Sequence, residues 1–75
     1  MISGIVVMAS PERTGHVLKG LIASGCCDIH CYDGRGRILV TIESRNAQEK
    51  IDQMKNIRAI PHVISVYRAY TRAWE

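Results

Sequence analysis

Residues 4–13, Gly-Ile-Val-Val-Met-Ala-Ser-Pro-Glu-Arg, decide the fold, because an almost wholly apolar strand runs directly into the start of a helix. A strand that is covered on one face alternates apolar and polar residues, whereas residues 5–8 are apolar on both faces. Something must therefore cover the second face of this strand. A chain of 75 residues has little left with which to do so.

The composition is that of one small soluble domain spanning residues 1–75, with 47% hydrophobic and 23% charged residues. No apolar run approaches the roughly 20 residues that a membrane span needs. The first residues lack the basic region and cleavage site of a secretory signal, so a cytoplasmic location is expected. The net charge of +3 is spread along the chain, which is typical of a solvated surface and only weakly indicates an anionic partner.

Three cysteines, Cys26, Cys27 and Cys31, raise the question of a metal or disulfide site. On a strand over 26–32, Cys26 faces away from the other two. Cys27 and Cys31 lie about 13 Å apart along such a strand, which is too far for one metal ion or a disulfide. We expect small buried residues in a reducing compartment, with no metal and no cofactor.

The opening stretch predicts a strand over residues 2–9 and then a helix. Ser10 is expected to cap this helix and Pro11 to occupy its first position, where a missing N–H costs nothing. Gly25 is the expected stop. The apolar residues at helical spacing, which should face the sheet, are Val17, Leu18, Leu21 and Ile22.

The middle of the chain predicts a β-hairpin. Its strands cover 26–32 and 37–43, and the Asp-Gly-Arg-Gly sequence of residues 33–36 is a strong turn signal. In the second of these strands the residues that alternate toward a core are Ile38, Val40 and Ile42.

A second helix is predicted over about 45–58, followed by a fourth strand over about 62–71. Asn46 and Glu49 resemble a capping box at the start of this helix. The expected buried stripe of the helix consists of Ala47, Ile51, Met54 and Ile57.

This element order favours an α+β, ferredoxin-like split βαβ sandwich (βαββαβ). Its four-stranded antiparallel sheet has the order 4-1-3-2, and both helices cover one face. The other face, here called the open face, is uncovered. The residues predicted to lie on it are Val6 and Met8 from strand one, Leu39, Thr41 and Glu43 from strand three, Asp28, His30 and Tyr32 from strand two, and Ser65 and Tyr67 in one register of strand four.

An apolar surface with a polar rim is typical of a binding site. An amphipathic helix or an extended peptide would suit the open face. A homodimer stacked face to face would suit it equally, because it would compensate for the small core. A small-molecule regulatory domain of the ACT kind is a further alternative.

The sequence gives little support for catalysis or for binding of nucleic acid. The three histidines fall on three separate elements and form no recognisable triad, so we expect no enzyme. RNA-recognition domains of this topology stack bases on aromatic residues of the two central strands, and here those strands contain none. A basic and aromatic stripe of Arg68, Tyr70, Arg72 and Trp74 is better read as an edge strand running into a polar tail.

The ordered set of motifs resembles the NapD family, and the resemblance covers about residues 3–70. The residues that carry it are Ile5-Val6-Val7-x-Ala9-x-Pro11-Glu12-Arg13, Gly25, Ile29, Asp33, Gly36-Arg37-Ile38, Val40-x-Ile42-Glu43, Ile57-x-x-Ile60-Pro61-x-Val63 and Tyr70. NapD proteins are small cytoplasmic assembly chaperones of periplasmic nitrate reductase.

The resemblance implies a ferredoxin-like fold without catalysis. It further implies binding of the twin-arginine signal peptide of the molybdenum-containing catalytic subunit, which delays export until the cofactor is inserted. The peptide is expected to lie as a helix on the open face, against Val6, Met8, Leu39, Thr41 and Glu43, with His30 and Tyr32 beside them.

Three positions depart from the family pattern. His62 stands where the family usually has glycine, Arg68 stands at a usually apolar position, and Thr71 follows Tyr70 in place of the common histidine. The net charge of +3 opposes a twin-arginine ligand. Local acidity from Asp28 and Glu43 is expected to offset it.

Overall fold

The computed structural model describes residues 2–25 and 27–72, with side chains up to Ala69. The elements are β1 (Ile2–Ala9), a 3₁₀ turn (Pro11–Arg13), α1 (Thr14–Ser24), β2 (Asp28–Tyr32), β3 (Arg37–Glu43), α2 (Ala47–Arg58) and β4 (Val63–Arg72). The sheet has the order β2-β3-β1-β4, and every pairing is antiparallel. This is the predicted order read from the other edge, so the predicted fold class is confirmed.

The core lies between the sheet and the two helices. The alternate residues of β1 and β3 that were expected to face the helices are fully buried, as are three helical residues that pack on them. These buried residues are Ile5, Val7, Ala9, Ile38, Val40, Ile42, Val17, Leu21 and Ile57. The other faces of the two central strands are therefore left for the open face.

The first helix differs from its prediction in where it begins and in which apolar residues it buries. Residues 11–13 form a 3₁₀ turn, and Ser10 makes no side-chain capping bond; its carbonyl accepts the Arg13 N–H instead, at 2.8 Å. Ile22 is 70% exposed, so its predicted burial is wrong. Only Val17 and Leu21, which are four residues apart and share one side of the helix, are buried. Gly25 ends α1 in the left-handed conformation, as predicted.

The second helix begins as predicted but buries a different side. The Asn46 side chain accepts the Glu49 N–H at 2.8 Å, whereas the Glu49 carboxylate binds Arg45 and not the cap residue. Ile57 is buried, but Ala47 and Ile51 are exposed and Lys50 is only 9% exposed, so the predicted stripe is wrong at two positions. The reason is that α2 packs mainly on β4, the edge strand, and less on the central strands.

The turn between β2 and β3 is held by one carboxylate. Asp33 accepts the N–H groups of Arg35 at 2.9 Å and Arg37 at 3.0 Å, and its second oxygen accepts the Arg37 Nε–H at 2.8 Å. Gly36 has φ 90°, and a Cβ there would overlap the Ala9 carbonyl oxygen. Residues 33–36 therefore form the predicted turn. The close contact between Gly36 and Ala9 also holds this turn against the end of β1.

The fourth strand carries two irregularities in its pairing with β1. Register shifts lie between Gly4 and Ile5 and between Met8 and Ala9. The first shift falls between Arg68 and Tyr70 of β4, so the alternation expected from Arg68 to Tyr70 is interrupted. Trp74, the last member of the proposed basic and aromatic stripe, lies outside the described residues. The residue before β4, His62, has φ 74°, the left-handed backbone that favours glycine.

Candidate functional site: the open face of the sheet

An apolar row crosses all four strands of the open face. Cys31 pairs with Leu39, Leu39 with Val6, and Val6 with Tyr67. Directly paired residues of neighbouring strands project from the same face of a sheet. The four side chains therefore stand side by side from one edge of the sheet to the other, and we call them the central row.

The central row is accessible. Tyr67 is 48% exposed and Cys31 is exposed, while Val6 and Leu39 are half-buried between their neighbours. A shallow depression of about 290 Å³ lies along the row, and its floor includes Val6 and Leu39. Half-buried apolar side chains on a face that no element of the described residues covers are what a partner would desolvate.

A second apolar position lies beside the central row, toward the β2–β3 turn. Met8 of β1 pairs with Arg37 on one side and Ser65 on the other. Met8 is half-buried, and its flexible thioether suits contact with partners of varied shape. The placement of Ser65 and Tyr67 on the open face agrees with the register considered for strand four.

The opposite end of the open face is acidic. Asp28 pairs with Thr41 across β2 and β3, and Glu43 lies two residues beyond Thr41 on β3. Both carboxylates are exposed. Among the side chains described, residues 2–25 and 27–69, neither carboxylate forms an ion pair. This end of the face is therefore suited to a cationic group.

The polar group between these regions is a histidine and threonine pair. His30 Nε2 and Thr41 Oγ1 are hydrogen-bonded at 3.0 Å. This contact places the His30 side chain on the open face, as predicted.

The edge strand β2 corrects the predicted position of Tyr32. The register between β2 and β3 shifts between Ile29 and Cys31, so His30 is an extra residue. Beyond this shift Tyr32 pairs with the buried Ile38 and so lies on the helix side of the sheet. Cys31 takes the place on the open face that alternation had assigned to Tyr32. Cys31 is also exposed, which contradicts its predicted burial, whereas Cys27 is half-buried and packs on the core.

The turn end of the open face is closed by the Arg37–Asp33 ion pair at 2.8 Å. The pKa of Asp33 lies below its usual value, chiefly because the backbone N–H of Arg37 donates to the carboxylate and secondly because that of Arg35 does. Arg37 is thus engaged within the turn. The charge available to a partner is concentrated at the Asp28 and Glu43 end.

The structure thus assembles most of the predicted site. Val6, Met8, Leu39, Thr41 and His30 lie on one continuous surface, with Glu43 at its acidic end. Tyr32 lies on the helix side of β2 by its register, although it also lines the depression beside the central row. Cys31 was missed, because a bulge in an edge strand leaves no mark in apolar periodicity.

In residues 2–25 and 27–72 no three histidine, cysteine or carboxylate side chains come together as a metal site would require. No helix in the same ranges has the length and apolar character needed to span a membrane.

The chain was compared with known proteins. The family model described as "NapD protein" matches residues 1–73. The solution structure of the E. coli Tat proofreading chaperone protein NapD is similar, with a TM-score of 0.84 and 24% sequence identity; the match covers 100% of this chain and 80% of that chain. No curated protein sequence matches significantly.

Proposed function

Because the chain belongs to the NapD family, we propose that it is a chaperone that binds the twin-arginine signal peptide of the catalytic subunit of a periplasmic nitrate reductase. Binding would delay export until the molybdenum cofactor is inserted. The proposal places the protein in the cytoplasm, where the signal peptide is made, and assigns it no catalytic step and no cofactor of its own.

The observation that carries the proposal is the central row. Cys31, Leu39, Val6 and Tyr67 form an apolar band across the sheet, and Met8 extends it toward the turn. The face from Glu43 to Arg37 spans the 7 residues of β3, and the distance between the two ends is about 20 Å at the rise of a strand. A helix of about 13 residues has the same length. One amphipathic helix laid along β1 and β3 would therefore cover the face.

Charge sets the direction in which such a helix would lie. The arginine pair of a signal peptide would meet Asp28 and Glu43 at the acidic end, and the apolar part of the peptide would cross the central row. Arginine suits exposed carboxylates because its planar guanidinium donates two parallel hydrogen bonds. A local acidic end thus offsets the net charge of +3.

The test is a titration with a synthetic twin-arginine signal peptide, followed by amide chemical shifts. We expect the largest shifts at residues 4–8 and 37–43, and small ones on α1. A Leu39→Ser variant should bind at least tenfold more weakly, since it removes a central apolar contact. Ile22→Ser is the matched control, because Ile22 is 70% exposed on α1. Its affinity should equal that of the unchanged protein.

Other outcomes would contradict the proposal. Shifts confined to the helices would place the ligand elsewhere. A mass near twice 8.4 kDa that persists when peptide is added would assign the open face to a homodimer. Stabilisation by a free amino acid, with no response to the peptide, would favour the ACT-like alternative.

A further inference from the structure

The helix side of the molecule carries a second unpartnered surface, between α2 and β4. Two adjoining depressions, of about 210 and about 570 Å³, share Ile51 and Met54. We call the combined feature the α2–β4 groove. The six residues that define it are Lys50, Ile51, Met54, Lys55, Arg58 and Arg68.

The floor of the groove is apolar. Ile51 is 43% exposed and Met54 is half-buried, although both lie on a helix that packs against the core. The far wall of the groove is the edge strand β4. Val66 pairs with the buried Val7, and Arg68 pairs with the buried Ile5. Both wall residues therefore face the helix layer. The groove is thus on the layer of the molecule opposite the open face.

The rim of the groove is cationic. Lys50, Lys55, Arg58 and Arg68 line it, and no acidic side chain among the described residues does. The two carboxylates of α2 are engaged elsewhere: Glu49 pairs with Arg45, and Asp52 accepts a hydrogen bond from Gln48. At 100° per residue, both lie outside the arc of α2 that holds its groove residues, which are Lys50, Ile51, Met54, Lys55 and Arg58.

Lys50 is the most unusual of these cations. Lys50 is only 9% exposed. It forms no ion pair with any side chain of the described residues. Lys50 lines the groove together with Arg68. Lys50 and Arg68 thus offer a bound carboxylate two cations that no described acidic side chain pairs with.

We propose that the α2–β4 groove binds an acidic amphipathic segment of a partner protein. Leucine-like side chains of this segment contact Ile51 and Met54, and its carboxylates pair with the cationic rim. Lys50 and Arg58 lie eight positions apart on α2, about 12 Å along its axis, so about two turns of a bound helix suffice. A concave apolar floor accepts inserted side chains, whereas a membrane presents a flat surface.

This inference does not depend on the proposed function. It accounts for the net charge of +3 in a protein whose other surface is suited to a basic ligand. The two layers carry opposite local charge, so a basic peptide and an acidic peptide bind at the same time without competing.

The test uses a fluorescent helical peptide of about twelve residues, with leucines along one side and glutamates flanking them. Anisotropy is measured at about 50 and 200 mM salt. The Arg58→Glu/Arg68→Glu variant should bind more than tenfold more weakly. Arg13→Glu/Lys19→Glu makes the same change of net charge on exposed residues outside the groove and should bind within twofold of the unchanged protein.

A second pair of variants examines the floor. Ile51→Ser should weaken the acidic peptide about fivefold, and Ile22→Ser, at an exposed isoleucine of α1, should leave it unchanged. A peptide with lysine at every glutamate should not bind the groove.

Several results would overturn the inference. Equal losses in both double-charge variants would mean non-specific attraction. Binding to vesicles of anionic lipid, but not to the peptide, would assign the groove to a membrane. Self-association abolished by the groove variant would assign it to a second copy of the chain. Titration with the twin-arginine peptide on the groove variants separates the two hypotheses, because that affinity should stay unchanged.

Discussion

At the scale of single residues, Gly36 lies where the β2–β3 turn passes closest to the end of β1. Its φ is 90°, and its carbonyl accepts the Ala9 N–H at 2.7 Å. A side chain there would meet both an unfavourable backbone conformation and the Ala9 carbonyl. This position allows no residue with a Cβ unless the turn moves.

Gly36→Ala should therefore lower the free energy of unfolding by roughly 2 kcal/mol or more. Urea unfolding followed by circular dichroism measures it. Gly34→Ala is the control, because Gly34 has no atom within 4 Å of an added Cβ and its φ is not positive. Equal losses in both variants would show that turn flexibility, and not the contact with Ala9, sets the cost.

His62 has the same kind of backbone strain without a glycine. Its φ is 74°, and its ring lies 5.9 Å from that of His16 between centroids. A left-handed conformation costs a non-glycine residue roughly 1–2 kcal/mol. Replacement by glycine would remove this cost, but the greater flexibility of glycine in the unfolded chain would offset about half of the gain.

His62→Gly should accordingly raise the free energy of unfolding by about 1 kcal/mol. His62→Ala removes the same ring but keeps the Cβ, so it should give no such gain. Thermal and urea unfolding of the two variants distinguish them. A gain in both would assign the effect to the ring contact with His16.

At the scale of elements, the β2–β3 turn depends on the charge of Asp33. Its pKa is lowered in the folded protein, mainly by the N–H of Arg37. A group with a lowered folded pKa stabilises the fold above its unfolded value, near 3.8. That contribution is lost as the pH falls through the folded value.

Asp33→Asn should thus be less stable than the unchanged protein at pH 7, and the difference should shrink near pH 3. Urea unfolding at both values measures it. Asp52→Asn, on the exposed side of α2, is the control for the change of net charge. A constant gap between the Asp33 variant and the unchanged protein would mean that geometry, and not charge, holds the turn.

At the scale of the whole molecule, the two layers differ in local charge. The open face ends in Asp28 and Glu43, whereas the α2–β4 groove is rimmed by cations. A uniform distribution of the net charge would repel a basic peptide from every side. Because the charges are separated onto two layers, that repulsion is removed at the open face, where the basic peptide is proposed to bind.

Asp28→Asn/Glu43→Gln should weaken binding of the twin-arginine peptide about tenfold and reduce its dependence on salt. Isothermal titration at two salt concentrations measures both effects. Glu12→Gln/Asp52→Asn changes the net charge equally at residues outside the open face and should have little effect. If the two double variants behave alike, the acidic end has no specific role.

Apolar periodicity along the chain was sufficient to predict the element order and the inward residues of β1 and β3, because a strand alternates with a period of two and glycine or asparagine marks where elements end. The sheet order then followed from the element order and the rules for connections between strands. Five of the seven predicted site residues, Val6, Met8, Leu39, Thr41 and Glu43, lie on these two strands, so their placement on the open face followed from the same alternation.

The remaining features arise where distant segments meet. The extra residue at His30 exchanges Cys31 for Tyr32 on the open face, and the position of α2 over an edge strand exposes Ile51 beside Lys50 and Arg68. Neither depends on local spacing: a bulge is settled by pairing between two strands, and a helix face by what lies beneath it. For this reason the open face could be predicted before the structure was known, and the α2–β4 groove could not.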